Sequence, residues 1–169
     1  MIGLRKLCLL AIVSTATCLT ASAGNPAPAH QQSLPVVQVA SASSTTVNLQ
    51  DTAPSGKWLL IYVRANSRTS EMMLSKLKAD KYGPYLDRIF IIVGNVEPAA
   101  LSDFTKDYPD ILAAHWFADP KLDAFQQLNL HGVPVEIGLK DKGISWGLSG
   151  MLADGAAFDS TLLDWVKTN

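Results

Sequence analysis

Thiols are nearly missing from this chain: its two cysteines, Cys8 and Cys18, both lie ahead of residue 24. The polypeptide after Ala23 therefore has no sulfur for a disulfide staple, a thiolate metal site or a cysteine nucleophile. An excess of positive charge is missing as well. There are 14 Lys and Arg against 15 Asp and Glu, and Arg5 and Lys6 belong to the first few residues, so the remainder is the more acidic part. That leaves no basic footprint for nucleic acid. No apolar run is long enough to cross a membrane: Leu7 to Val13 falls well short of the roughly 20 apolar residues such a helix needs. Histidines number three. His30 lies in a polar stretch, and His115 and His131 are far apart with no carboxylate at ligand spacing, so no metal site is expected.

What the amino terminus does have is a basic start at Arg5 and Lys6, the short apolar core, and small residues ending in Ala21-Ser22-Ala23. This three-part pattern predicts a secretory signal peptide over residues 1–23, cleavage after Ala23 and a periplasmic location. Two alternatives stay open, a retained signal anchor and lipidation at Cys18. The residues before Cys18, Thr15-Ala16-Thr17, lack the large aliphatic side chain that bacterial lipoprotein signals resemble one another in carrying.

Residues 24–56 are rich in Pro, Ala, Ser, Thr and Gln and read as a flexible segment, with Leu34 to Val39 and Thr46 to Leu49 as candidates for short edge strands. From Lys57 the pattern changes. Trp58 to Val63 and Ile89 to Val93 are continuous apolar runs of strand length, as expected of strands buried on both faces. Ser67 to Asp80 carries Met73, Leu74 and Leu77 at helical spacing, and Pro98 opens a second helix bearing Leu101, Phe104 and Tyr108. Ala113 to Ala118 reads as a third strand and Lys121 to Leu130 as a short helix. Val133 to Leu139 and Ile144 to Leu148 flank Asp141-Lys142-Gly143 as a hairpin, and a last helix carries Phe158, Leu162, Leu163 and Val166. Residues 57–169 are thus predicted to form one α/β domain, a central mixed sheet flanked by helices on both faces. Trp58, Trp116, Trp146 and Trp165 fall in these patterns and read as packing residues. Met72 and Met73 read as core filling, with an adaptable groove as the alternative.

Over residues 57–169 the chain resembles the thioredoxin-like superfamily of periplasmic type, on three features. Ser67-Arg68-Thr69-Ser70 stands where family members place Cys-x-x-Cys. His131-Gly132-Val133-Pro134 resembles the segment whose proline is cis beside that turn. Trp116 to Pro120, before its helix, is similar to the strand-Asp-Pro-helix insertion of periplasmic members. The resemblance implies a thioredoxin-like fold. Two departures qualify what it implies for activity. Serine cannot replace the thiolate that attacks a disulfide, and Ile61 stands where thioredoxins often keep a buried carboxylate to handle a proton.

The reading that follows has no catalytic residues, no cofactor and no thiol-disulfide activity. Ser67 and Ser70 are accounted for as helix caps rather than nucleophiles, since hydrolysis also requires a placed base and an oxyanion hole. The resemblance implies a groove between the first helical turn and the cis-proline loop, with Ser67, Arg68, Thr69, Ser70, Val133 and Pro134 as its residues and Gly147 to Gly150 as a bordering loop. Its expected occupant is an extended polypeptide or another envelope protein, bound by main-chain hydrogen bonds. Alternatives are a non-thiol enzyme using Ser67, Arg68 or His131, and a structural component of an envelope secretion or conjugation machine.

Overall fold

The structure, a computed structural model, describes residues 32–52 and 55–168. The leader and both cysteines lie outside the described residues, as does His30. The chain forms strands β1 (Gln32–Ser33), β2 (Gln38–Ala40) and β3 (Thr46–Asn48), helix α1 (Leu49–Thr52), β4 (Lys57–Arg64), α2 (Arg68–Leu77), β5 (Ile89–Gly94), α3 (Pro98–Thr105), β6 (His115–Asp119), α4 (Asp123–Gln127), β7 (Val135–Lys140), β8 (Gly143–Ser149) and α5 (Gly155–Lys167). Two 3-10 segments, Gly83–Arg88 and Pro109–Ile111, connect them.

All eight strands join one sheet in the order β1-β8-β7-β4-β5-β6-β2-β3. β4, β5 and β6 run parallel, and β7 joins β4 antiparallel. The apolar runs become central strands because both faces are covered, and side chains alternate between two cores. Leu59, Ile61 and Val63 face α2 and α5, burying Met73, Leu74, Leu77, Phe158 and Leu162 with them. Leu60 and Tyr62 face the other way, with Phe90, Ile92, Phe117 and Ala124. Helix α5 starts where Asp154 accepts from the Ala156 and Ala157 amides, satisfying two otherwise unpaired donors.

The segment read from composition as flexible is packed over residues 34–49. Leu34, Val37 and Leu49 are fully buried and Val39 nearly so, all in the second core. β2 pairs with β6 through Ala40 and Ala118, and β3 pairs with β2. Four apolar residues diluted among Ser, Thr and Pro give no periodic signal, yet they cap an exposed sheet face, where burial of each is worth about 1.5–3 kcal/mol.

Other boundaries move too. α4 is shorter than the predicted Lys121 to Leu130, because Leu122 adopts a left-handed conformation (φ 61°) and Asn129 does so beyond its end (φ 51°). Tyr108 lies past the end of α3, although it is buried. β8 continues to Ser149, so Gly147 to Ser149 belong to a strand, not to a loop. The Val133–Pro134 peptide bond is cis.

Candidate functional site

β4 ends at Arg64, and the turn to α2 brings Ser67 to Ser70 against the cis-proline loop. Ser67 is the N-cap, its hydroxyl accepting from the Ser70 amide at 3.4 Å. Ser70 is 1% exposed, and its Oγ accepts from the Arg64 amide at 3.1 Å, tying the helix to the end of β4. Both serines therefore hold backbone in place, and among the described residues no histidine is hydrogen bonded to either. Capping accounts for Ser67, and the tie to β4 accounts for Ser70.

Thr69 makes the bridge between the two loops. Its Oγ1 donates to the Val133 carbonyl at 3.2 Å and shares a 3.1 Å hydrogen bond with the Ser67 hydroxyl. On the far side of the cis bond, the Gly150 amide donates to the Pro134 carbonyl at 2.7 Å. Among the described residues nothing accepts from the Val133 amide. So the six predicted residues divide by exposure. Ser70 and Pro134 are buried, Ser67 and Val133 are half-buried, and Arg68 and Thr69 are exposed.

A buried carboxyl was missed in the sequence. Ile61 indeed offers none, but its cross-strand partner on β7 is Glu136, two residues after the cis-proline. Glu136 is fully buried, and neither carboxyl oxygen has a hydrogen-bond partner among the described residues. Burial pushes its pKa from the ordinary range up to about 8, with its own backbone amide acting to a lesser extent the other way. A buried carboxyl thus lies on the strand beside Ile61, although Ile61 itself offers none.

On the opposite face, Tyr62 donates to Asp119 at 2.8 Å, and the same Asp119 oxygen accepts from the Phe125 amide at 3.1 Å. Burial raises the Tyr62 pKa, and the bond to Asp119 acts in the same direction. Gly94 makes this possible, since a Cβ there would collide with the Tyr62 hydroxyl. This gives the strand-Asp-Pro feature a structural role: Asp119 fastens β4 and α4 together. Arg64 lies over the Phe125 ring at 4.5 Å.

Met73 is core, whereas Met72 is 50% exposed in a cleft of about 460 Å³ with Arg68, Glu71, Ser75, Lys76 and Met151. The four tryptophans are half-buried. His115 pairs with the Asp87 carbonyl at 3.0 Å, and His131 is exposed. No group of three or more His, Cys, Asp or Glu suited to a metal occurs among the described residues, and no helix among them is long and apolar enough to cross a membrane.

No protein-family model and no curated protein matches the sequence. Solved structures do match by shape. A secreted Mycobacterium tuberculosis disulfide oxidoreductase, homologous to DsbE of E. coli, superposes with a TM-score of 0.60 at 11% identity, covering 79% of this chain and 96% of its own. An uncharacterized thioredoxin-like protein from Porphyromonas gingivalis gives 0.61 at 15% identity, over 79% and 92%. The exposed lipoprotein thioredoxin of Streptococcus pneumoniae gives 0.53 at 14% identity, over 75% and 96%. At such identities the likeness is one of fold alone: a mixed sheet with helices on both faces, arranged as in thioredoxin-like proteins.

Proposed function

We propose that this thioredoxin-like chain is exported and, without thiol chemistry, binds or helps assemble another envelope protein by holding an extended segment of it across Val133. The observation that carries the reading is the Val133 main chain, whose amide has no acceptor among the described residues and whose carbonyl accepts from the exposed Thr69. A free main-chain donor next to a polar rim suits strand-like pairing, which needs no sulfur. The carbonyl of Val133 already accepts from Thr69, but a carbonyl has two lone pairs, so it can accept a second bond from a partner. Export is supported by the leader pattern of residues 1–23, whose removal takes away Cys8 and Cys18 together. Thiol exchange is then chemically unavailable, because the two positions that would carry it hold serines, one capping α2 and one bonded to the Arg64 amide.

The test is a double substitution of the rim, Arg68→Glu with Thr69→Lys. Both side chains are exposed, so unfolding should shift by only about 1 kcal/mol, chiefly from the lost Thr69 bond to Val133. Capture of the partner from native envelope is expected to fall at least tenfold, the loss of about 1.4 kcal/mol of binding. Undiminished capture by the folded double variant would remove this groove from the reading.

A further inference from the structure

Among the described residues β8 is an incompletely covered edge. β1 pairs only with Gly143 and Ile144, while β8 runs on to Ser149. The hydrogen-bond phase shows what the open part offers. Gly150 donates to Pro134, and the register sets Leu148 opposite Glu136 and Trp146 opposite Gly138. Main-chain groups alternate along an antiparallel strand, so those of Trp146 and Leu148 turn towards β7 and those of Gly147 and Ser149 turn outward. Ser145, Gly147 and Ser149 are exposed.

Such edges are normally protected by charge or proline. This one has neither, for no charged residue and no proline occurs between Gly143 and Ala153, and its bulge, at Ser145, leaves Trp146 to Ser149 in regular register with β7. Its sequence, Ser145-Trp146-Gly147-Leu148-Ser149, is close to symmetric about Gly147. We infer that this edge pairs antiparallel with the same strand of a second copy, about a two-fold axis at Gly147. In that register Gly147 faces its own mate and both exchange their outward amide and carbonyl. Trp146 of each copy lies opposite Leu148 of the other, on one face, as an apolar cross-strand pair. An isologous contact of this kind closes on itself and stops at two. Trp146 is held in place for it, packed over Gly138, where a Cβ would collide with the indole, and set edge-on to Trp165 at 5.7 Å. Five residues of edge make a small interface, so the association belongs to the weak, transient class.

Analytical ultracentrifugation of the mature chain is expected to show the weight-average mass rising towards twice the monomer's between about 10 µM and about 1 mM. A side chain at position 147 has room, since a Cβ there meets nothing nearer than the Glu136 carbonyl at 3.8 Å. Gly147→Lys and Gly147→Glu, each placing like charges opposite one another at the axis, should weaken association at least about tenfold. An equimolar mixture of the two should recover it. Independently of any variant, exchange of the Gly147 and Ser149 amides should slow at least about tenfold from dilute to concentrated protein. A monomer throughout that range would overturn the inference, including one whose edge is covered by residues ahead of Gln32 or by a foreign strand. So would wild-type association by both single variants, or a mixture that stays monomeric.

Discussion

Glu136→Gln is expected to flatten the pH dependence of folding and to stabilise the protein by about 3–5 kcal/mol above pH 8. The buried carboxyl has its pKa raised from 4.5 to about 8, mainly because burial penalises its charged form. Between those two values the folded protein holds a proton that the unfolded chain has released. Its contribution to stability is therefore complete below about pH 4.5 and is lost as pH rises through about 8. Glutamine has nearly the same shape and no charge, so near pH 4 the two proteins should unfold within about 1 kcal/mol of each other, the residual difference between two unpaired buried groups. Urea unfolding at pH 4, 6 and 9 measures the divergence. Parallel profiles for the variant and the parent would mean that Glu136 does not titrate in the folded protein over this range.

The second large effect concerns the segment ahead of the domain. Leu34→Ala and Leu49→Ala should each cost about 2–5 kcal/mol, as expected when a fully buried leucine is truncated in a core that relaxes only partly. Both residues belong to the core against Leu60, Tyr62 and Phe90. The double variant should then lose a large part of a typical domain's stability of about 5–15 kcal/mol. Thermal and denaturant unfolding decide the matter. Losses under about 0.5 kcal/mol would show that residues 34–49 do not contribute to the fold and that the compositional reading of a tether was right.

That contrast shows which signals a sequence carries openly. Trp58 to Val63 and Ile89 to Val93 are legible because a strand buried on both faces must be apolar at every position, and β4 and β5 are such strands. The meeting of two loops was legible by position: Ser67 caps α2, Pro134 follows a cis bond, and Thr69 bonds to Val133. The strap over residues 34–49 was not legible as packing, since its buried side chains come singly and unevenly, at Leu34, Val37, Val39 and Leu49, and two of its strands have only three residues each. Glu136 was legible in principle and overlooked. Val133 to Leu139 reads as a strand covered on both faces, so the one charged residue within it had to be buried. The phase of β7 then sets it beside Ile61, where the absence of a carboxylate had been noted. Asp119 was noticed for its place in a motif, but its bond to Tyr62 joins residues 57 positions apart and leaves no local trace.

The central claim, that the Val133 edge holds a polypeptide without thiol chemistry, is tested most directly by placing a photoreactive side chain at position 133 and irradiating intact cells. The substitution keeps the main-chain amide that is proposed to pair. A discrete crosslinked polypeptide is predicted, its yield falling at least about tenfold when Arg68→Glu and Thr69→Lys are added. No crosslink from position 133, or the same product in equal yield from the exposed Asp110 on a distant turn, would contradict the account.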